Sequence, residues 1–278
     1  MKRARCFAVA LLALAALPAV HADAPGEVSE QSNWELGVGV GSVRYPVYVG
    51  AVETQSLTVP FPYVVYHNPH LSVDKNQVRG IVIAGSHWSV DVDFSGSPYV
   101  ESDRTRERLG MPDLQWLGQM GPALRYLAWQ DGSGLTQLDV VLPFRVAVSA
   151  QGLTLTHRGW EFEPRLELDH NLSDAPEHFE WNANLDFAYG DRKYDQYYYG
   201  VLHQYAAAGR PAYDAPGGYG GYRSQVGFSW YHGSFIYGAF IEYLSLRGAV
   251  FQASPLVARS GGLSMGVAIT WVIQRRSP

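Results

Sequence analysis

Apolar and polar residues alternate along most of this chain with a period of two. The clearest case is residues 179–189, where aromatic and aliphatic side chains share one face, and carboxylates and amides share the other. Because successive side chains of a β-strand point to opposite faces, this pattern predicts a strand with one apolar and one polar face. The apolar face consists of Phe179, Trp181, Ala183, Leu185, Phe187 and Tyr189.

Similar segments recur from Trp34 to Trp271 and are separated by turn residues. About eleven can be counted, and each is near the ~9–11 residues that a tilted strand needs to cross a bilayer. Bacterial single-chain barrels have an even number of strands, so we expect residues 71–84 to contain one further hairpin. The pattern therefore predicts an all-β fold, a transmembrane antiparallel β-barrel of about twelve strands, with ten as the alternative.

Two local features refine the predicted wall. The apolar phase slips near His157 to Gly159, and a β-bulge would absorb the extra residue. Pro60 and Pro62 fall within the strand predicted for residues 57–65. Because proline cannot donate to a sheet ladder, we expect that strand to lie at a rim or a bulge.

The polar faces favour a membrane barrel over a soluble β-sandwich. A carboxylate or amide at every second residue fits a water-filled lumen better than a dry core. Aromatic residues near the ends of the apolar faces resemble the girdles that membrane barrels place at the lipid–water interface. These residues are Trp34, Trp88, Trp160, Trp181, Tyr189, Trp230 and Trp271.

The first residues have the pattern of an export signal. Three basic residues precede an apolar run at 7–17, and small residues follow it. This predicts a secretory signal peptide at residues 1–22, with cleavage after Ala22 or Ala24. Residues 23–278 are then expected to form a single outer-membrane β-barrel domain.

Net charge and cysteine content argue against nucleic-acid binding and against disulfide bonds. The formal net charge is −5, and removal of residues 1–22 takes away three basic and no acidic residues, which leaves −8. A net acidic exported chain is a poor candidate for binding nucleic acid. The single cysteine, Cys6, lies within the predicted signal peptide, so the mature chain is expected to fold without disulfides.

No stretch of the sequence has the local pattern of a catalytic or metal site. A G-x-S-x-G elbow is absent, and the histidines lie mostly at turns or strand ends. Asp169 and His170 form an isolated pair without the clustered spacing of metal ligands. We therefore predict a non-enzymatic protein with no cofactor and no metal.

Residues 191–222 form the longest segment that cannot be one strand, and they are rich in tyrosine and glycine. Tyrosine offers a large contact area at low entropic cost, which favours a protein- or ligand-contact surface. The alternative is a loop that packs on itself or plugs the lumen, and residue chemistry leaves both open. The candidate contact residues are Tyr197, Tyr198, Tyr199, Arg210, Pro211 and Tyr213.

Four short runs resemble the MipA/OmpV family of outer-membrane proteins. They are YYYGV at 197–201, RPAY at 210–213, LRGAVF at 246–251 and SPLV at 254–257. Their order and spacing make the resemblance specific. Outside these runs the resemblance is weaker, but it extends over essentially the whole mature chain.

The resemblance implies a barrel in the cell outer membrane, in contact with outer-membrane lipid. The name-giving member, MltA-interacting protein, is a scaffold that joins a lytic murein transglycosylase to a peptidoglycan synthase. Other members are described as adhesins or as small-molecule-binding proteins, so a channel, a small-solute or antibiotic-binding protein and a surface adhesin remain alternatives. The family carries no catalytic residues.

A single missed strand would reverse the side of the membrane on which residues 191–222 emerge, so the sequence leaves that side open.

Overall fold

The computed structural model describes residues 33–67, 71–73, 78–171 and 177–276. The predicted signal peptide and its cleavage positions lie outside these ranges. Most of the described chain forms β-strands, with one short α-helix, α1 (Arg192–Tyr199), and 3-10 turns at Ser102–Arg104 and His203–Tyr205. The strands are β1 (Asn33–Pro46), β2 (Thr54–His67), β3 (Leu71–Val73), β4 (Val78–Ala84), β5 (Trp88–Ser97), β6 (Trp116–Gln130), β7 (Thr136–Gln151), β8 (Thr154–Phe162), β9 (Arg165–Asn171), β10 (His178–Gly190), β11 (Gly218–His232), β12 (Phe235–Ser245) and β13 (Gly261–Arg276).

The strands form one antiparallel sheet that closes on itself, because β13 pairs with β1 and β11 pairs with β10. β8 and β9 pair with the two halves of β7, and both also pair with β10. They are therefore one strand of the wall, interrupted at Glu163 and Pro164. Counted in this way, the described strands form a twelve-stranded β-barrel, which confirms the predicted fold.

The hairpin expected within residues 71–84 is present as β3 and β4. β3 has only three residues, so β2 pairs with it at Tyr66 and His67 alone, while β2 pairs with β1 along its whole length. Among the described strands, Pro60 and Pro62 thus lie where β2 has a single neighbour. The expectation of a rim or a bulge was therefore wrong, because the prolines lie mid-strand in a regular ladder, where the missing N–H is tolerated since β2 has one neighbour there.

The predicted bulge near residues 157–159 is also present. Ala147 pairs with Gly159 and Val148 pairs with His157, so Arg158 is the extra residue on β8. Gly159 has a φ of 112°, a conformation that favours glycine. The bulge lies on the wall next to α1, where it determines how closely the helix approaches.

The two faces of the wall differ sharply in polarity. On β13, Val267 is 62% and Ile273 58% exposed, whereas Ser264 is 4% and Thr270 5% exposed. Neighbouring strands show the same arrangement, with large apolar side chains on the outside of the barrel and polar groups on the inside. This arrangement reverses that of a soluble protein and is typical of a wall that faces lipid. Tryptophans on the outer surface are Trp88, Trp116, Trp129, Trp160, Trp230 and Trp271.

The described part of the chain contains no helix of the length and apolarity needed to cross a membrane.

The long connections share one end of the barrel. Antiparallel strands alternate in direction, so the connections at 47–53, 98–115, 191–217 and 246–260 lie together, and we call this end the mouth. β1 begins and β13 ends at the opposite end, where β6 and β7 are joined by a short turn at 131–135.

Candidate functional site in the mouth of the barrel

Arg145 on β7 is buried among carboxylates of the inner wall, with 1% of its surface exposed. Its guanidinium lies 2.9 Å from Asp93 and 3.3 Å from Glu161, and it makes its closest ion pair with Glu163. A buried charge is tolerated only when it is paired and hydrogen-bonded. Arg145 therefore holds together groups from β5, β7, β8 and the break before β9.

Two further arginines extend this cluster into a network. Arg165 lies 2.6 Å from Asp93 and 2.7 Å from Glu167. Arg125 lies 2.5 Å from Glu167 and 2.9 Å from Asp139. Because Asp93 and Glu167 each bridge two arginines, the network is continuous across the inner faces of β5 to β9.

One group of carboxylates in this network has the spacing of a metal site. Oxygen atoms of Asp139, Glu167 and Asp169 lie within 4.8 Å of one another. Arg125 already donates to the first two, at 2.9 Å and 2.5 Å. Positive charge is thus supplied by the protein, and the group gives no independent sign of an ion.

Helix α1 begins at a well-defined cap. The side chain of Asp191 accepts a hydrogen bond from the backbone N–H of Tyr194 at 2.8 Å, which satisfies one of the free donors of the first turn. A Cβ on Gly159 would overlap the Asp191 carboxylate. The bulge glycine of β8 therefore makes room for the cap, and α1 rests against the wall at this point.

Gly159→Ala should loosen α1 because the added methyl group displaces the Asp191 cap. Loss of such a cap costs about 0.5–2 kcal/mol. We expect lower hydrogen-exchange protection of α1, with little change in the protection of distant strands. Gly152→Ala is the matched control, because Gly152 also has a positive φ, of 59°, but a Cβ there has no heavy atom within 4 Å. Equal effects of the two substitutions would contradict this account.

The three consecutive tyrosines at the end of α1 donate hydrogen bonds to two loops of the mouth and to the end of β5. The hydroxyl of Tyr197 donates to the carbonyl of Gln115 at 3.2 Å, and that of Tyr198 to Ser97 Oγ at 3.0 Å. Tyr199, 7% exposed, donates to the carbonyl of Val49 at 3.0 Å. These bonds hold the plug loop, residues 191–217, across the mouth.

Aromatic stacking adds to this closure. The ring of Tyr199 stacks on Phe251 of the 246–260 connection, with centroids 3.8 Å apart and planes 11° from parallel. Ser254 Oγ donates to the carbonyl of Tyr199 at 2.6 Å. On another side, buried Arg108 donates to the carbonyl of Tyr198 at 3.0 Å. All four long connections therefore meet at α1.

The other predicted contact residues lie further along the plug loop. The guanidinium of Arg210 donates to the carbonyls of Tyr205, Glu107 and Leu109 at 2.8–3.1 Å. Tyr213 pairs through its backbone with Val201, and Pro211 is exposed. The structure thus uses the three tyrosines and the arginine in internal contacts, and a role of these residues in partner or ligand contact stays a prediction. The exposed tip at 206–209 is the part of the loop that an adhesin would offer.

Beneath α1 lies a cavity of about 400 Å³, which we call the mouth cavity. Its lining combines aromatic rings with acidic groups. The acidic groups are Glu161, Glu163, Asp186, Asp195 and Glu242, and the one arginine in the lining is Arg223. Arg223 lies 3.3 Å from Glu163 and 3.5 Å from Glu242.

Asp195 on α1 is the cavity group that sequence reasoning missed. It is 2% exposed, and its Oδ2 is buried without a hydrogen-bond partner. Burial, and then the negative charges of Asp191 and Glu161, raise its pKa to about 8. The cap spacing from Asp191 to Tyr194 could have signalled a helix, but no local pattern shows that Asp195 turns into the lumen.

The raised pKa of Asp195 makes the plug sensitive to pH. The folded-state pKa of about 8 lies above the ordinary aspartate pKa of 3.8, so the folded protein binds the proton more tightly and loses stability as pH rises between these values. We expect the free energy of opening α1, from hydrogen exchange corrected for intrinsic rates, to fall from pH 6 to pH 9. Asp195→Asn should flatten this dependence, whereas Asp214→Asn, at an exposed site on the same loop, should retain it. An unchanged slope in Asp195→Asn would exclude the mechanism.

Several solved structures are similar to this chain at a low level. OccK11 (OpdR) of Pseudomonas aeruginosa is 10% identical, with 88% of this chain and 96% of that chain covered and a TM-score of 0.27. The Ralstonia pickettii toluene transporter TbuX is 10% identical, with 87% and 73% covered and a TM-score of 0.26. OccK8 (OprE) of Pseudomonas aeruginosa is 8% identical, with 77% and 68% covered and a TM-score of 0.24. These likenesses say nothing about ligands.

No curated protein is significantly similar to this chain. A family model does match, and it extends over residues 36–273, from β1 to near the end of β13. That range includes nearly the whole barrel wall, the plug loop and the other three connections of the mouth. The chain therefore belongs to the family described as MltA-interacting protein MipA.

Proposed function

We propose that this protein is a non-enzymatic barrel of the bacterial outer membrane, and that it is a scaffold for murein-hydrolysing and murein-synthesising enzymes. The observation that carries the proposal is the family match over residues 36–273, to MltA-interacting protein MipA. The apolar outer surface of the wall supports a membrane location. The partners we expect are a lytic murein transglycosylase and a peptidoglycan synthase.

The filled lumen favours a scaffold over an open pore. The arginine–carboxylate network covers the inner faces of β5 to β9, and α1 lies across the mouth. An open channel needs a continuous water-filled path, and these groups obstruct it from two sides. A barrel of this kind offers other proteins a rigid surface and two chemically different ends.

Murein lies beneath the outer membrane, so the partner should contact the end of the barrel opposite the mouth. Long loops of bacterial barrels face outward and short turns face the periplasm, which assigns the β6–β7 turn to the partner's side. Gly132, Ser133 and Gly134 are exposed in this turn. They are accessible without any opening of the barrel.

A site-specific photo-crosslinker can test the proposal. With a purified lytic transglycosylase added to the reconstituted barrel, a crosslinker at Ser133 should capture the enzyme, and one at Ala208 in the plug loop should not. Both positions are exposed, so accessibility is matched. Capture at Ala208 alone, or no saturable binding of either murein enzyme, would exclude the scaffold.

Small-solute binding is the second candidate, and the mouth cavity of about 400 Å³ favours it. Pockets that bind small molecules are usually ~300–1,000 Å³. Conductance measured in planar bilayers distinguishes a solute-binding protein from a channel. A binder with a closed mouth should give little conductance at rest, whereas steady conductance without solute would favour a channel.

A further inference from the structure

The charges that line the mouth cavity are strongly unbalanced. Five carboxylates face it, against the guanidinium of Arg223. Arg145 offsets part of this excess from behind, because it lies 3.3 Å from Glu161 and also pairs with Glu163. Glu161 in addition accepts hydrogen bonds from Tyr194 and Gln119 at 2.9–3.0 Å. The carboxylates on this side are thus compensated by the protein itself.

Two other carboxylates of the cavity have fewer partners. Asp195 is 2% exposed. It accepts a hydrogen bond from the backbone N–H of Gly218, but its Oδ2 is buried without a hydrogen-bond partner among the described residues. Asp186 is 5% exposed, and no hydrogen bond or ion pair joins its side chain to another described residue. Its cross-strand partner Arg223 is engaged with Glu163 and Glu242 instead. A buried carboxylate oxygen without a hydrogen-bond partner is costly, so a cation that enters the cavity would find an unmet acceptor in Asp195 Oδ2.

The remaining walls of the cavity are apolar and aromatic. Tyr48, Tyr198, Tyr199 and Phe251 line it around α1, and Tyr222 lines it on β11. Aromatic faces attract cations as well as apolar groups, and carboxylates beside aromatic rings are a recurring way to recognise ammonium ligands. A bare metal ion would leave these rings without a function, whereas an organic cation uses both kinds of wall.

We propose that the mouth cavity binds a small organic cation, with an ammonium group held by Asp195 and an apolar body against the aromatic rings, while Asp186, further along β10, adds negative charge deeper in the cavity. This inference goes beyond the scaffold function and gives the solute-binding candidate its ligand class. Because Asp195 lies on α1 and Tyr222 lies on β11, the ligand contacts both the plug loop and the wall. Binding should therefore stabilise the closed mouth.

The proposal can be tested on the purified barrel in detergent, with phenethylammonium as the probe. Calorimetric titration should give saturable binding of phenethylammonium, and binding at least about tenfold weaker for the neutral isostere 2-phenylethanol. Phenylacetate, an anion of similar shape, should not bind. The comparison of these probes uses the unchanged chain and so does not depend on whether a variant folds.

Variants locate the site. Asp195→Asn should weaken phenethylammonium binding at least about tenfold and Asp186→Asn should weaken it less, while Asp214→Asn, exposed in the same loop, should leave it unchanged. Binding near pH 7 should also release more protons from the wild-type chain than from Asp195→Asn, as titrations in two buffers would show.

Equal binding of the neutral isostere, or unchanged affinity in both cavity variants, would overturn the proposal. The titration contains no murein enzyme, so its result does not depend on whether the proposed scaffold function is correct. Conversely, loss of probe binding with enzyme capture intact at Ser133 would remove this inference and leave the scaffold standing.

Discussion

Replacing Arg145 by methionine should lower the free energy of unfolding of the barrel by about 3–5 kcal/mol, the usual result of removing one partner of a buried ion pair. Methionine retains much of the volume but leaves Asp93, Glu161 and Glu163 close together without their shared cation. Like charges at this distance repel strongly when they are removed from water. The effect should be measured by urea unfolding in lipid vesicles, followed by tryptophan fluorescence.

Arg104→Met is the matched control for Arg145. Arg104 also pairs with a carboxylate, Glu101, at 2.5 Å, but its side chain is 73% exposed. Exposed pairs contribute about 0–1 kcal/mol, so this variant should unfold almost as the wild type does. Similar losses for both variants would mean that the lumen network does not stabilise the barrel.

Replacing Tyr199 by alanine should open the mouth. Loss of a buried aromatic ring costs about 3–5 kcal/mol, and here the ring stacks on Phe251 and its hydroxyl bonds to Val49. Because these contacts join α1 to two other loops, the loss should fall on the plug rather than on the wall. We expect hydrogen exchange of α1 to accelerate strongly, and conductance in planar bilayers to rise.

Two further variants distinguish the contribution of the Tyr199 hydroxyl from that of its ring, and the role of Tyr199 from that of another tyrosine in the loop. Tyr199→Phe removes only the hydroxyl and should cost about 1 kcal/mol. Tyr205→Ala changes a tyrosine of the same loop whose side chain has no hydrogen bond or ring contact with the described residues, and it should leave the mouth closed. If Tyr205→Ala opened the mouth as far as Tyr199→Ala, the anchoring role of Tyr199 would be wrong.

The barrel wall was predictable because its signals are local. Alternation marks β10 and β13 directly, and the phase slip near Gly159 indicates the bulge that the register contains. The β3–β4 hairpin followed only from the even-strand rule, since β3 has three residues and no alternation of its own. Even so, that hairpin decides the strand count and hence the end at which residues 191–217 emerge.

A plug was one of the two alternatives that the sequence left open for residues 191–222, but its conformation was not predictable, because distant residues determine it. Tyr197, Tyr198 and Tyr199 are not strong helix formers, and α1 forms where Asp191 caps it and Gly159 makes room. Its anchors Val49 and Phe251 come from two other loops, and its anchor Ser97 is the last residue of β5. The lumen face of Asp186 was visible in the alternation of β10, whereas the inward position of Asp195 depends on these contacts.

The central claim is that this chain spans the outer membrane with the plug loop outward and the β6–β7 turn inward. Cys6 is the only cysteine of the chain and lies in the predicted signal peptide, so single cysteines can be introduced without background. Ala208→Cys and Ser133→Cys place thiols at exposed positions at opposite ends of the barrel.

Labelling of intact bacteria with a membrane-impermeant maleimide tests this claim most directly. We predict that Ala208→Cys reacts on intact cells, and that Ser133→Cys reacts only after the outer membrane is permeabilised. The reverse pattern, or equal labelling of both positions on intact cells, would contradict the account.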